Sequence, residues 1–298
     1  MKNELFSTLT DMGIACEQNI PLSMHSSFRV GGTGELGAFP KNGSELIACV
    51  SAAKEFGKAV YIIGNGSNTL FGDGKLCGVF IFTEKLCSIR VDGTNIYAEA
   101  GASLSAIATA AAEAGLCGFE FAKGIPGSLG GAVFMNAGAY GGQMSDVVVS
   151  SMALDTNSGN ILSVTDHGFS YRKSIYMQNS SLVCVSAVLS LRTGNTSEIK
   201  EKMRAFAIQR REKQPLEFPS AGSYFKRPDG HFAGKLIEDC DLKGFRIGGA
   251  EVSKKHAGFI INVGNATAAD ILALEEHIKR TVRERFGVTL EREVRIIK

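Results

Sequence analysis

The segment at residues 124–142, GIPGSLGGAVFMNAGAYGG, constrains what this chain can fold into more than any other. It holds seven glycines, one proline and one asparagine around an apolar run at residues 132–135. Glycine lacks a Cβ atom, so it tolerates positive φ angles and lets backbone N–H groups approach another group closely. We interpret the segment as a backbone cradle for a phosphate-bearing ligand. A flexible loop or a bulged strand is the alternative, and the apolar run argues against simple flexibility.

Bulk composition indicates a globular protein that binds a small molecule. The 298 residues suffice for two or three domains, and 44% hydrophobic with 21% charged residues is ordinary for such proteins. The net charge is only +2, and no long block of like charge occurs. We therefore expect neither a nucleic-acid partner nor binding to a membrane surface.

The cysteines and histidines predict no metal centre. Seven cysteines make an odd number, contain no C-x-x-C pair and lie mostly in apolar segments, which is typical of buried thiols in a reducing compartment. The five histidines are scattered, without a pair at metal-ligand spacing.

No signal-peptide core and no run of membrane-spanning length is found. We expect a cytoplasmic protein.

Helices and strands alternate in the first part of the chain. The predicted helices begin after a serine cap and end at a glycine. They run from Ser44 to Gly57 and from Ser103 to Gly115. The predicted strands are those at residues 59–63, 79–82, 89–91 and 96–99.

The second part predicts more sheet. A hairpin at 147–154 and 161–164 precedes strands at 182–191, 259–262 and 288–297. One helix begins at Thr196 or Ser197 and is bounded by Pro215. Another is opened by the capping box Thr267-x-x-Asp270 and closed by Gly287.

Two further glycine motifs invite a nucleotide-binding interpretation. Gly32-Thr-Gly-Glu-Leu-Gly37 matches G-x-G-x-x-G, but Pro40 follows, so no helix can present its N-terminus to a pyrophosphate, and we reject this motif. Gly64-Asn-Gly-Ser-Asn68 follows a predicted strand, where consecutive N–H groups can form an anion-binding nest.

Eight segments, taken in order, resemble the UDP-N-acetylenolpyruvoylglucosamine reductase family over nearly the whole chain. They are SFRVGG from Ser27, GNGSN from Gly64, GIPGSLGGA from Gly124, MNAGAYG from Met135, FSYRKS from Phe169, AGSYFK from Ala221, HAGFI from His256 and LEREVR from Leu290.

The resemblance implies an α+β, three-domain flavoprotein. Two FAD-binding subdomains, at residues 1–86 and 87–195, form a unit of the vanillyl-alcohol-oxidase-like type. An α/β substrate-binding domain follows at 196–298, its last strand able to return to the ligand cleft. Because few residues separate Ser174 from the strand at 182–191, the chain resembles the shorter subtype, which lacks a substrate-covering loop insertion.

The resemblance also implies the reaction. NADPH reduces non-covalently bound FAD, which passes hydride to the terminal carbon of UDP-N-acetylglucosamine enolpyruvate. Arg172 is the predicted cation for the substrate carboxylate, Ser223 the proton donor to the adjacent carbon, and Glu293 a protonated carboxyl that stabilises the enolate. Without the resemblance, these would be a hairpin-end arginine, a turn serine and a solvated edge charge.

Cofactor and substrate residues follow from the same motifs. The predicted FAD contacts are Arg29, Gly64, Asn65, Gly66, Ser67, Asn68, Gly124, Ile125, Pro126, Gly127, Ser128, Gly130, Gly131, Ala132, Asn136 and Gly138. The predicted substrate contacts are Tyr171, Arg210, Lys213, Lys226 and Arg227, the last standing where the family often has asparagine. Arg210 and Lys213 also suit a helix C-terminus, where cations are favourable without any ligand.

Two other functions stay open at this point. One is a related FAD oxidase or dehydrogenase with another substrate. The other is a flavin-free nucleotide-binding or scaffold protein. In the favoured interpretation the protein is a monomer whose partners are the enolpyruvyl substrate and NADPH.

Overall fold

The computed structural model describes residues 4–298. The chain divides into two compact units, each built from discontinuous segments. The first contains residues up to Gln18, Glu35–Asn65 and Cys77–Arg210. The second contains Asn19–Gly34, Gly66–Leu76 and Arg211–Lys298. The predicted three-domain boundaries stay a prediction.

The helices and strands alternate along most of the chain. The α-helices of residues 4–298 are α1 Glu4–Asp11, α2 Gly43–Glu55, α3 Leu104–Glu113, α4 Leu129–Met135, α5 Ile175–Gln178, α6 Thr196–Lys213, α7 Ala233–Asp239 and α8 Ala268–Phe286. The strands are β1 Ala15–Pro21, β2 Thr33–Phe39, β3 Val60–Ile63, β4 Thr69–Phe71, β5 Lys75–Phe82, β6 Ile89–Asp92, β7 Asn95–Glu99, β8 Leu116–Cys117, β9 Gly138–Ala139, β10 Gly142–Gln143, β11 Val148–Asp155, β12 Ile161–Val164, β13 Leu182–Ser190, β14 Arg192–Thr193, β15 Arg246–Ile247, β16 Ala250–Val252, β17 Ile260–Asn262 and β18 Arg295–Ile297.

Most of the first unit is organised by two sheets. One has the order β1-β2-β5-β3, with β3 and β5 parallel. The other is antiparallel, with the order β12-β11-β13-β7-β6. One hydrophobic core joins α1 and α2 to β2 and β5. A second core joins α3 and α4 to β7 and β13.

The second unit has its own core, centred on α7 and α8. Its sheet is the antiparallel set β15-β16-β17, and β18 pairs in parallel with β4. In α8 the apolar residues Ile271, Leu274, Ile278 and Val282 form a buried stripe, as helical periodicity predicts. Between residues 4 and 298, no helix is long and apolar enough to cross a membrane.

Several local predictions are confirmed. β11 and β12 form the expected hairpin, and the Ser103 side chain accepts from the Ala106 N–H to cap α3. At α8 the capping box between Thr267 and Asp270 is present, and Gly287 ends the helix with φ of 69°. The rejected motif at residues 32–37 lies largely in β2, not before a helix.

Other local predictions are wrong for identifiable reasons. Asn42, not Ser44, caps α2, because its side chain accepts from the Glu45 N–H while that glutamate carboxylate accepts from the Lys41 N–H. The strand predicted at 288–297 is limited to β18. The residues before it alternate in burial but, within residues 4–298, pair through no strand, only through an isolated bridge between Phe225 and Arg292.

Candidate active site

The glycine-rich segment contains a short helix. α4 follows Ser128 and ends at Asn136, which adopts the left-handed conformation with φ of 46°. Beyond it, β9 and β10 form a tight hairpin. A Cβ on Gly138 would lie 2.6 Å from the Gly142 carbonyl oxygen, and one on Gly142 would lie 2.5 Å from the Phe121 ring, so both positions require glycine. The segment is therefore an ordered, closely packed element of the first unit.

Ser128 carries a hydroxyl without a protein partner. The residue is 1% exposed, and its Oγ has no hydrogen-bond partner within the described residues. It occupies the N-cap position of α4 but makes no side-chain cap. A buried hydroxyl left unbonded is costly. The position calls for an acceptor or donor that the polypeptide does not supply.

The two predicted glycine motifs meet at this serine. A Cβ on Gly64, at the end of β3, would collide with Ser128 Oγ. The Asn65 side-chain amide donates to the Pro126 carbonyl at 3.3 Å. Residues 64–65 and 126–128 are thus brought together.

Some of the backbone N–H groups predicted to bind FAD already donate hydrogen bonds within the protein. The Gly130 N–H donates to the Ala100 carbonyl at 2.8 Å, and the Ala132 N–H donates to the Ser128 carbonyl at 2.9 Å. A Cβ on Gly130 would lie 2.9 Å from Ala100 Cβ. Gly130 and Ala132 therefore shape the segment, and any donation to a ligand must come from their neighbours.

Arg172 lies in a tight turn directed at the end of α4. Ser170 and Lys173 form a backbone bridge across the turn, and Arg172 has φ of 55°. Its guanidinium donates to the carbonyls of Asn136 and Gly138 at 3.3 and 3.2 Å. These contacts fix a permanent cation beside the glycine-rich segment.

The flanks of this turn are also anchored. Ser174, fully buried, donates its hydroxyl proton to the Phe134 carbonyl at 2.6 Å. The Asn136 side-chain amide donates to the Ser170 carbonyl at 3.1 Å, so this predicted cofactor contact also supports the turn. Tyr171 is exposed, and the Arg172 guanidinium lies 5.1 Å from its ring centroid.

A buried polar network joins residues on both sides of the turn that carries Arg172. Ser151 Oγ is 2.8 Å from His167 Nε2 and 2.6 Å from the Tyr176 hydroxyl, and all three residues are at most 4% exposed. Burial lowers the pKa of His167 below its ordinary value, against the raising effects of the Asp166 charge and a hydrogen bond at Thr165. The network holds both ends of the segment that carries Arg172.

The end of α6 packs on the glycine-rich segment. The rings of Phe206 and Tyr140 stack with centroids 4.4 Å apart. A Cβ on Gly124 would lie 3.0 Å from Arg210 Cδ, and burial lowers the pKa of the Arg210 guanidinium. Lys213 is exposed at the last position of the helix.

Ser223 belongs to the second unit, on a segment paired on both sides. It is exposed and follows Gly222, whose φ is 77°. The next residue, Tyr224, donates its N–H to the Gly258 carbonyl at 2.8 Å, and its carbonyl accepts from the Glu293 N–H at 2.9 Å. Ser223 and Glu293 are thereby carried on hydrogen-bonded neighbouring segments.

The Glu293 backbone is held from a second direction. The Asn68 side chain donates to its carbonyl at 3.2 Å, and the Arg295 N–H donates to the Asn68 carbonyl at 3.0 Å. Glu293 is half-buried and precedes β18 rather than lying within it. Asn68, predicted as a cofactor contact, therefore also aligns this segment.

The remaining predicted residues of the second unit lie at turns and edges. Lys226 Nζ is 2.9 Å from a Glu291 carboxylate oxygen, and the Arg227 guanidinium is 3.9 Å from the Phe232 ring centroid. Arg29 is exposed with φ of 54°. Gly66 is buried and Ser67 half-buried. A Cβ on Gly66 would collide with the His25 carbonyl oxygen.

Beneath Ser223 and Glu293 lies a buried carboxylate, that of Glu275. It is 0% exposed and accepts from the Tyr224 hydroxyl at 2.8 Å and from Arg292 at 2.9 Å. Lys279 pairs with it at 2.5 Å. Burial alone would raise the pKa of Glu275, but the hydrogen bonds from Lys279, Arg292 and Tyr224 hold it below its ordinary value. The carboxylate stays ionised.

Comparison with known proteins assigns the family. Residues 35–165 match an FAD-binding domain, and residues 214–297 match the C-terminal domain of UDP-N-acetylenolpyruvoylglucosamine reductase. The reductase of that name from Caldanaerobacter subterraneus subsp. tengcongensis is 50% identical over 280 residues, covering 94% of this chain and 92% of the relative. The chain belongs to the UDP-N-acetylenolpyruvoylglucosamine reductase family.

Other members of the UDP-N-acetylenolpyruvoylglucosamine reductase family agree. The relative from Streptococcus suis is 46% identical over 299 residues, which cover 100% of this chain and 98% of the relative. The crystal structure of the reductase from Thermus caldophilus superposes with a TM-score of 0.82 at 30% identity, covering 96% of this chain and all of that one. The predicted fold class is confirmed, and the protein is an FAD-dependent oxidoreductase.

Neither of the two buried polar clusters was predicted from the sequence. Glu275 follows Ile271 by four residues and precedes Ile278 by three, so it falls within the buried stripe of α8. A charge in an apolar stripe is the signal that could have revealed it. Ser151 and His167 gave no such signal, because their pairing depends on tertiary contact.

In residues 4–298, no group of three or more His, Cys, Asp or Glu side chains is arranged to hold a metal ion.

We expect His167 to make stability fall in mild acid. Its pKa is lowered on folding, so the unfolded chain binds more protons as pH falls below 6.5, its ordinary value. The stability it contributes is complete above that pH and is lost toward the lower pKa of the folded state. In His167→Gln this loss should be absent, so the urea unfolding midpoint should drop less between pH 7.5 and pH 5.

His256 serves as an internal control for this comparison. Burial also lowers its pKa, and it is retained in both proteins, so the difference between their pH profiles isolates His167. Parallel profiles for wild type and His167→Gln would refute the assignment.

Proposed function

We propose that this protein reduces the enolpyruvyl ether of UDP-N-acetylglucosamine to UDP-N-acetylmuramate, a precursor of peptidoglycan, with NADPH as electron donor. The observation that carries the proposal is similarity along nearly the full length to reductases named for that substrate. All seven cysteines are free thiols, which supports a cytoplasmic location. We further propose that the enzyme is a monomer.

The first unit offers features that suit non-covalent FAD. Bound FAD accepts electrons from NADPH and supplies them to the substrate as a hydride. The Ser128 hydroxyl packs against the side-chain-free backbone at Gly64 and has no protein partner, so it is the kind of buried polar group that a cofactor phosphate or ring atom can satisfy. The other proposed contacts of this unit are Asn65, the remaining glycine-rich residues at 124–132, Asn136 and Gly138. In the second unit, Arg29 and residues 66–68 are proposed FAD contacts.

Arg172 is proposed to stabilise charge on the substrate carboxylate. Hydride addition to the terminal carbon leaves negative charge on the adjacent carbon, delocalised into the carboxylate as an enolate. A fixed guanidinium acts more strongly on that developing charge than on the ground state. The carbonyls of Asn136 and Gly138 orient it, so little reorganisation is needed.

Ser223 and Glu293 are proposed to complete the reduction. The Ser223 hydroxyl gives its proton to the carbanionic carbon, and Lys226 lowers the cost of the transient alkoxide. A protonated Glu293 donates to the enolate oxygen. The pairing of their segments through Tyr224 supports a joint role.

Four further side chains are proposed to bind the substrate. Arg210 and Lys213 suit its diphosphate, because both lie at the end of α6. Tyr171 and Arg227 are proposed to contact other polar parts of the nucleotide. Arg227 already lies against Phe232, so it can offer a planar cationic surface.

The deciding experiment separates the two half-reactions. Under anaerobic conditions, NADPH should bleach the absorbance of bound FAD, and the enolpyruvyl substrate should then restore it. FAD that is bleached but not restored by this substrate indicates another FAD oxidoreductase. Protein that stays colourless after incubation with FAD would contradict both enzyme interpretations.

Ser223→Ala should separate the same two steps. Bleaching by NADPH should be unchanged, because the serine acts only on the second substrate. Restoration should slow by about 10²–10³-fold, as when one transition-state donor is removed from an active site. Stopped-flow absorbance measures both, and equal slowing of the two steps would contradict the role.

Ser128→Ala tests the cofactor contact. Removing a buried hydroxyl without a protein partner should leave the apoprotein as stable as wild type or slightly more so. The dissociation constant for FAD should rise about 10-fold, the equivalent of one hydrogen bond. Thermal unfolding of the apoprotein and FAD fluorescence titration measure the two effects. Ser180→Ala, at an exposed position, is the matched control. Unchanged FAD affinity in Ser128→Ala would contradict the proposed contact between Ser128 and FAD.

A further inference from the structure

The buried carboxylate of Glu275 joins two separate parts of the second unit. Its oxygens accept from Tyr224, on the segment after Ser223, and from Arg292, on the segment before Glu293. The backbones of these segments are paired as well, through the Lys226 N–H to the Glu291 carbonyl and the Glu293 N–H to the Tyr224 carbonyl. Ser223 and Glu293, the side chains proposed to react, are thus each adjacent in sequence to a residue that donates a hydrogen bond to the Glu275 carboxylate.

Burial distinguishes the residues that hold this arrangement from those proposed to react. Tyr224 is fully buried while Ser223 is exposed, and Arg292 reaches Glu275 beneath the surface. Ser223 and Glu293 are each the chain neighbour of one of these held residues, so fixing Tyr224 and Arg292 restricts the backbone from which both project.

The presence of charged groups in this buried network also requires an explanation. An apolar residue would fill the stripe of α8 at lower cost, because burying a carboxylate is unfavourable unless its partners are complete. Here the partners are complete, with a neutral hydroxyl and two cations around one carboxylate. A charged network of this kind specifies geometry more than it adds stability.

We propose that Glu275 is a positioning residue for the reduction: its carboxylate ties Tyr224 to Arg292 and so holds Ser223 and Glu293 in a fixed mutual arrangement. The catalytic consequence rests on the function proposed above, whereas the tie itself does not. Glu275 touches no reacting atom.

The first test measures the tie without any substrate. In the FAD-loaded protein, Tyr224→Phe and Glu275→Gln should each increase amide hydrogen exchange at residues 224, 226 and 293. Tyr224→Phe keeps the ring, which packs edge-on against Phe28 and Phe225, so the fold is retained. Glu276→Gln is the matched control. Glu276 is next to Glu275 but exposed, and its ion pair within α8 is with Lys279. Unchanged exchange in both variants would overturn the proposal.

The second test measures the consequence. Bleaching of FAD by NADPH should stay within about 2-fold of wild type, while restoration by the enolpyruvyl substrate should slow about 10-fold in Tyr224→Phe and about 100-fold in Glu275→Gln. In a Ser223→Ala background, Tyr224→Phe should add less than about 2-fold, because the two residues act as one unit. Full additivity would overturn the positioning role.

The two tests fail in different ways. A wild-type enzyme that the enolpyruvyl substrate does not reoxidise refutes the proposed function and the catalytic consequence with it, while the exchange experiment still decides whether the tie exists. A wild-type enzyme that reacts, with variants that exchange faster but restore FAD at the normal rate, leaves the proposed function intact and overturns the positioning role.

Discussion

Close packing against glycines, possible only where a side chain is missing, is the constraint on which the first unit depends. At Gly64, Gly130 and Gly138 an added Cβ would run into a neighbouring serine, alanine or carbonyl. These contacts place the end of β3 against the start of α4 and fold residues 138–143 into a hairpin. The loop that looks flexible in composition is therefore fixed, which is what a cofactor site needs.

The side chains proposed to react are positioned by the same physical means in both units. Arg172 projects from a turn whose flanks are held by the Ser174 hydroxyl and the Asn136 amide, and two carbonyls accept from its guanidinium. Ser223 stands beside a buried tyrosine held by an ionised carboxylate. In each case buried groups hold the backbone beside the side chain proposed to react.

Local signals were sufficient where a feature depends on residues close in sequence. The capping box of α8, the cap of α3 and the β11–β12 hairpin were predictable because their partners lie within a few positions. Asn42 displaced Ser44 as a cap through competition within four residues, which propensity alone does not resolve. The extent of β18 could not be predicted, because strand length there depends on its partner β4, more than two hundred residues away.

The sequence by itself determined the family, the FAD-binding class and the identity of the residues proposed to react, because these depend on motifs that persist in order along the chain. Only the tertiary structure decided which buried groups hold those residues in place. Glu275 with Tyr224 and Arg292, and Ser151 with His167, are joined by hydrogen bonds across 16 to 51 positions of sequence. The unpartnered state of Ser128 likewise depends on what surrounds it, since a hydroxyl is satisfied or orphaned by its neighbours in space.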